Sequence, residues 1–166
     1  MKNNIKIINL ESQNSQNLNL EKDSDVKVAI YDILEENTFH LLECSEKKYT
    51  LNIKFIENLL LFDVRTNDGV KPLKQISVNL KSIFKILKEY IILCDSYYNA
   101  IKSAPVQKVE ALDMGRRSLH DDASHELVDK MKKVAYMDFN TARRFITLCS
   151  IMYKKLKLGE IFFKVY

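Results

Sequence analysis

Near residue 79 the hydrophobic period of this chain changes from two residues to between three and four. That switch restricts what the chain can fold into. In the stretch before it, Tyr49, Leu51, Ile53 and Phe55 alternate with Thr50, Asn52 and Lys54, the pattern of a strand with one buried and one wet face. Leu60, Phe62 and Val64 repeat the pattern, with Leu61, Asp63 and Arg65 on the opposite side. Glu57-Asn58 makes a turn, and Asn67-Asp68-Gly69 is a hairpin turn in which glycine supplies the positive φ. Val70–Val78 returns as a further strand, and Pro72 marks an edge or a strand start. Phe39–Glu43 is expected to add a strand in front, so the middle of the chain reads as an antiparallel meander.

The N-terminal part is less regular. Ile5-Lys6-Ile7-Ile8 is a short strand candidate, and the polar stretch Glu11 to Leu20 reads as a loose connection. Asp23 or Ser24 can cap a helix running to about Glu36, with Val28, Ile30-Tyr31 and Leu34 as its apolar positions.

Beyond Asn79 the spacing is helical. Ile83, Ile86-Leu87, Tyr90, Cys94, Tyr97-Tyr98 and Ile101 form one wide stripe. With Phe84 and Ile91-Ile92-Leu93 added, this helix is apolar most of the way round, as a central helix would be. Pro105 ends it and opens the next, which is expected to run to about Leu119 or His120. A break at Asp121–Ala123 follows, with Asp122 or Ser124 capping a further helix that ends near Val134. The last helix begins near Asp138-Phe139-Asn140 and buries Ala142, Phe145, Cys149, Met152 and Leu156. Gly159 is expected to stop it, leaving an apolar tail that contains Ile161, Phe162, Phe163 and Tyr166. The fold expected is α+β: an antiparallel sheet of three to five strands, with an N-terminal helix and three to four C-terminal helices packed on one face. A chain of 166 residues accommodates one such domain.

Charge is spread unevenly. Residues 1–36 carry four Lys against seven acids, and residues 81–166 carry sixteen basic against ten acidic residues. The basic C-terminal half permits an acidic partner such as nucleic acid or phosphate, and it equally suits a solvated face. Cys44, Cys94 and Cys149 are odd in number and share no motif, which fits reduced thiols in a cytosol. The first six residues lead into no apolar run, so no secretory signal peptide is expected. Ile83–Ile101, the most apolar stretch, is interrupted by Lys85, Lys88, Glu89 and Asp95, which a bilayer core would penalise. A soluble cytoplasmic protein is expected.

Rare residues concentrate in Asp113–His125, which holds one of the three glycines and two of the three histidines. On a helix after Pro105, Glu110, Asp113, Arg117 and His120 fall on one face and Arg116 on another. Gly115 inside a helix costs about 1 kcal/mol against Ala and so implies close packing against a neighbour. Arg116, Arg117 and His120 could grip an anion, since the guanidinium fork suits phosphate or carboxylate. Arg143-Arg144 is a second basic pair that packed helices could bring to the same place. The competing reading is an ion-pair network. His120 and His125 stand five apart, which is not a metal-ligand spacing on a helix. Neither Cys44 nor Ser118 is placed by local sequence beside a histidine base. There is no phosphate-binding loop, nucleophile elbow, CxxC or dinucleotide fingerprint, and no cofactor or metal is expected.

Taken together, several motifs resemble a family of uncharacterised alphaproteobacterial proteins of unknown function. They are Phe62-Asp63-Val64-Arg65 with Asp68-Gly69, Cys94-Asp95-Ser96-Tyr97-Tyr98, Asp113-Met114-Gly115-Arg116-Arg117 with Leu119-His120, and Asp138-Phe139 with Thr141-Ala142-Arg143-Arg144. The resemblance spans roughly residues 25 to 153. It implies a bacterial cytoplasmic protein and brings no activity, cofactor or partner with it. The sequence departs from the family pattern at Ala123, where the family has glycine, in an expanded Glu11–Leu20 stretch, and in a longer tail after Tyr153.

Three functional readings follow. The first is a non-enzymatic binding module that holds RNA, a nucleotide-like molecule or an acidic protein surface through Arg116, Arg117, His120, Arg143 and Arg144. The second is a small enzyme using His120 with Asp113 or Glu110 as an acid–base pair. The third is a structural homodimer joined through Ile161–Tyr166.

Overall fold

The computed structural model describes residues 2–12, 20 and 22–164. Its strands are β1 (Ile5–Ser12), β2 (Phe39–Leu41), β3 (Tyr49–Ile56), β4 (Leu59–Thr66), β5 (Pro72–Asn79) and β6 (Ala135–Met137). Its helices are α1 (Ser24–Glu35), α2 (Lys81–Ile101), α3 (Val106–Met131) and α4 (Phe139–Lys164). The main sheet has the order β1-β3-β4-β5.

The two hairpins form as the sequence predicts. The β3–β4 turn is closed by Glu57, at φ 53°, with Asn58 beside it. Gly69 takes φ 78° in the β4–β5 turn, where Asp68 Oδ1 accepts from the Val70 amide at 3.0 Å. Pro72 opens β5, one of the two edge strands of this sheet. The alternation also holds: Leu51, Ile53, Phe55, Leu60, Phe62, Val64, Ile76 and Val78 are buried.

The sheet is mixed, however, not purely antiparallel. β1 runs to Ser12 and pairs parallel with β3. A parallel partner needs a long crossover, and α1 lies in the segment connecting the two strands. Phe39–Leu41 does not join this sheet; it pairs with β6 in a separate two-stranded ribbon. The expected loose connection falls partly on β1, and residues 13–19 lie outside the described residues.

Helix α1 is capped by Asp23, whose Oδ1 accepts from the Val26 amide at 3.1 Å. Its buried stripe is Val26, Ala29 and Ile33, flanked by Ile30 and Leu34; Val28 and Tyr31 face outward. The central helix is α4 rather than α2. Ala142, Phe145, Ile146, Leu148, Cys149, Met152 and Leu156 are buried, and Phe145 meets Phe62 of the sheet edge-on with ring centroids 5.7 Å apart. In α2 only Ile83, Phe84, Leu87 and Ala100 are buried, while Ile92, Tyr98 and Ile101 are exposed. The distal half of α2 packs mainly on the first half of α3, where Leu93 Cδ1 would stand 3.2 Å from a Cβ placed on Gly115. That is the close approach expected of this glycine.

Helix α3 is continuous from Val106 to Met131 and shows no break at Asp121–Ala123. Ser124 is not a cap: its hydroxyl donates to the His120 carbonyl one turn back, at 2.7 Å. Ala123, Leu127 and Met131 are fully buried, so packing overrides the local turn signal. α4 likewise continues helical through Gly159 to Lys164. One glycine costs a helix about 1 kcal/mol and need not end it. The side chains of Ile161, Phe162, Phe163 and Tyr166 lie outside the described residues. No helix among the described residues is long and apolar enough to cross a membrane.

The junction after α1 joins the halves of the fold. Asn37 is buried, with 1% of its surface exposed. Its Oδ1 accepts from the Ile5 amide at 2.9 Å, and its Nδ2 donates to the carbonyls of Ile33 at 2.9 Å and Ile5 at 3.1 Å. Next to it, the Thr38 amide donates to Thr141 Oγ1 at 2.8 Å, and the Asp138 amide donates to the Thr38 carbonyl at 3.4 Å. The junction therefore fixes β1 on one side and the start of α4 on the other. Replacing Asn37 with Ala strips partners from three buried backbone groups, each worth roughly 1 kcal/mol or more when left unsatisfied. Urea denaturation of Asn37→Ala is expected to show a loss of about 3 kcal/mol; a loss below about 1 kcal/mol contradicts the role given to this amide.

Candidate functional site

Arg116, Arg117, His120, Arg143 and Arg144 all line one cavity, of about 430 Å³, between α3 and α4. Tyr90 of α2 and Asn140 and Thr147 of α4 complete its wall. The convergence follows from helix geometry. Arg143, Arg144 and Thr147 occupy adjacent turns near the start of α4, and α4 packs against the His120 end of α3.

Each guanidinium is held by a carboxylate that does not line the cavity. Asp113 takes two of them, Arg116 Nε at 2.8 Å and Arg117 Nε at 3.1 Å. Arg143 Nε stands 3.5 Å from Asp121, and Arg144 Nη2 donates to Glu36 at 3.2 Å. Sequence spacing anticipates the Asp113–Arg117 pair; the structure adds Arg116 to the same carboxylate. Arg116 also stacks over the Tyr97 ring, 4.0 Å from its centroid, in a cation–π contact. It is the most enclosed of the four, at 20% exposure, against 69% for Arg117. The hydrogen bond from Arg116 is the main reason that the Asp113 carboxyl titrates below the usual carboxylate range.

His120 is 93% buried, being 7% exposed. Its Nε2 lies 3.1 Å from Thr147 Oγ1, and its ring meets that of Tyr90 edge-on at 5.3 Å. Thr147 donates its own proton to the Arg143 carbonyl at 3.2 Å. The hydroxyl oxygen is thus left to accept from Nε2–H, and Nδ1 carries a lone pair that is buried without a partner. Burial, then the nearby Arg143 charge, pull the His120 pKa down to about 4, with Asp121 opposing. The imidazole is neutral at neutral pH. Burial also pushes the Tyr90 phenol up to about 12.

His120 hydrogen-bonds neither Asp113, which is held by two arginines, nor Glu110. His125 leaves the cavity and stacks on Phe139 at 4.4 Å. Among the described residues no group of three or more His, Cys, Asp or Glu side chains is arranged to hold a metal. Sequence reasoning missed Tyr90, Asn140 and Thr147. Thr147 stands one turn beyond Arg143 on the same face, a spacing that could have indicated it. Glu36 and Asp121 are not legible as partners, because Glu36 is remote in sequence and Asp121 reads as part of a helix break.

A second depression, of about 530 Å³, lies on the outer face of the sheet across β3, β4 and β5. Its charges are matched within the sheet, Asp63 by Arg65 at 2.8 Å and Lys54 by Glu11 at 3.4 Å. Glu11, Asp63 and Lys54 line it, with Arg65 outside the lining, so it offers an anion no cluster of cations.

Because the folded-state pKa of His120 lies below the ordinary value near 6.5, acidification protonates the unfolded chain first. Its contribution to stability is complete above about pH 6.5 and falls away toward pH 4, a loss of up to about 3 kcal/mol. His120→Gln is expected to flatten that part of the stability profile measured by urea denaturation between pH 7 and pH 4. Equal slopes in the two proteins contradict the assignment.

Comparison with known proteins gives a consistent result. The model of the family described as Uncharacterised protein family (UPF0262) matches residues 2–155. A UPF0262 protein of Rhodopseudomonas palustris strain BisA53 is 41% identical over 128 residues, covering 77% of this chain and 78% of the relative. One from Azorhizobium caulinodans is 41% identical over 129 residues, covering 76% and 80%. One from Rhizobium leguminosarum bv. trifolii is 40% identical over 126 residues, covering 76% and 80%. No solved structure matches the chain. By the reach of the family model and the identity of these relatives, the chain belongs to the uncharacterised protein family UPF0262.

Proposed function

We propose that this protein is a non-enzymatic cytoplasmic binding module that takes an anionic ligand in the cavity between α3 and α4. The observation that carries the reading is the set of residues that line the cavity: four arginines, one neutral histidine and three uncharged polar residues, with no acidic one. A network serving stability alone has no need to turn its cations toward one concavity and its carboxylates away from it. The carboxylates hold the guanidiniums in place before any ligand arrives, which lowers the ordering cost of binding.

The enzymatic alternative is less well supported. An acid–base pair needs a partner in hydrogen-bond reach, and His120 has a hydroxyl, not a carboxylate, on Nε2. The homodimer reading rests on tail side chains outside the described residues. The cytoplasmic assignment rests on the three free cysteines.

The test is thermal denaturation at low salt with added sulfate, phosphate or pyrophosphate, for the native chain and for Arg117→Gln and Arg143→Gln. These two are the more exposed arginines, so their loss disturbs packing least. A bound anion is expected to raise the Tm of the native chain. Each substitution removes a charge-assisted hydrogen bond worth about 1.5–3 kcal/mol and so weakens binding about tenfold or more. A Tm indifferent to all three anions, or a response unchanged by both substitutions, contradicts the proposal.

A further inference from the structure

We infer that the ligand of this cavity is a small phosphomonoester with a hydroxyl-bearing body, of sugar-phosphate or mononucleotide size, and not a polymer. The inference rests on the anion-binding reading above and narrows it.

The arrangement of donors comes first. Arg116 spends Nε and Nη2 on Asp113, Arg117 spends Nε on the same carboxylate and Arg144 spends Nη2 on Glu36, while Arg143 Nε stands 3.5 Å from Asp121 in an ion pair without a hydrogen bond. Nη1 of all four lies outside these pairs. The two arginine pairs stand on different helices, and consecutive helical residues diverge by about 100°, so the four forks do not share a plane. A carboxylate offers about four lone pairs, all in one plane, and so takes forks that lie side by side, as Asp113 takes Arg116 and Arg117. A phosphomonoester offers three terminal oxygens disposed around the P–O axis and can accept from several forks at once.

Charge balance points the same way. Four guanidiniums face three carboxylates, Glu36, Asp113 and Asp121, while His120 is neutral. One positive charge is left over, and the start of α4 adds none, because the Asp138 carboxylate caps it, accepting from the Thr141 amide at 2.9 Å. A phosphomonoester carries about −1.5 to −2 at neutral pH and takes up that surplus. A nucleic-acid strand needs a basic track many residues long. α3 cannot supply one, because exposed Glu110 and Asp122 flank its arginines.

Size and lining complete the argument. A volume of about 430 Å³ lies in the range of sites for small molecules. Asn140, Thr147 and Tyr90 line the same space as the arginines, and the Asn140 amide, with the lone pair that Thr147 Oγ1 keeps beside its bonds to Arg143 and His120, suits the hydroxyls of a sugar rather than a second charged group.

Isothermal titration of the full chain at low salt tests this against a panel: inorganic phosphate, glycerol 3-phosphate, ribose 5-phosphate, uridine and adenosine 5′-monophosphates, succinate, and a dodecamer of uridylate RNA. At least one ester is expected to bind with one-to-one stoichiometry and about tenfold tighter than phosphate, and Arg117→Gln combined with Arg143→Gln should weaken it about a hundredfold. Succinate binding as tightly as the best ester overturns the phosphate assignment. RNA binding more than tenfold tighter than its monomer overturns the small-ligand assignment. Phosphate matching every ester overturns the hydroxyl-bearing body. All three results leave an anion site standing, whereas heat from none of these anions removes the anion reading as well.

Discussion

The side-chain amide of Asn37 is the contact on which both the sheet and the candidate site depend. It closes the end of α1 and hydrogen-bonds both backbone groups of Ile5 in β1, so the helix and its preceding strand are held together at one point. Its neighbours extend the tie in the other direction. Glu36 pairs with Arg144, and Thr38 exchanges hydrogen bonds with Thr141 and Asp138 at the start of α4. Asp23, at the other end of α1, is ion-paired with Lys155 of α4. A buried amide with satisfied donors and acceptor tolerates one arrangement and no near alternatives. It thereby sets the position from which Arg143 and Arg144 project.

The cavity results from two helices meeting, each with its own consecutive arginines. α4 meets the sheet where Phe145 packs on Phe62, and α3 meets α4 at the His120–Thr147 contact. Bringing four guanidiniums together is electrostatically unfavourable by itself. Asp113, Asp121 and Glu36 offset most of that repulsion from behind. Exposed ion pairs of this kind contribute little to stability. Their consequence is orientation: Arg116, held by Asp113 and the Tyr97 ring, has little freedom left. His120 stays neutral in this setting because burial and Arg143 both disfavour a further proton.

Much of the fold can be read from the sequence where the signal is local. The alternation in Tyr49–Phe55, the Asn67-Asp68-Gly69 turn, the Asp23 cap and the crowding at Gly115 each depend on neighbours in sequence or on one helix face. The failures are non-local or short. Nothing in Ile5–Ile8 says that its partner is Tyr49–Leu51 in parallel register, because that choice is made by a crossover whose path tertiary packing decides. β2 and β6 have three residues each, too few to display a period. Asp121-Asp122 reads as a break, but the buried stripe Ala123, Leu127 and Met131 carries α3 straight through it. Val28 and Tyr31 look like core and face outward because a twelve-residue helix offers two plausible stripes. For the site, the residue types pointed to guanidinium–anion chemistry, while the meeting of the two arginine pairs and the presence of Tyr90 and Thr147 required the fold.

The central claim is that the four guanidiniums face one cavity with donors to spare. Crystals soaked in tungstate, a tetrahedral dianion located by its anomalous scattering, test it most directly. The account predicts one dominant peak inside the cavity, within hydrogen-bond reach of terminal nitrogens from both helices. Peaks found only on the Lys130–Lys133 surface, or no peak within hydrogen-bond reach of these four arginines, would contradict it.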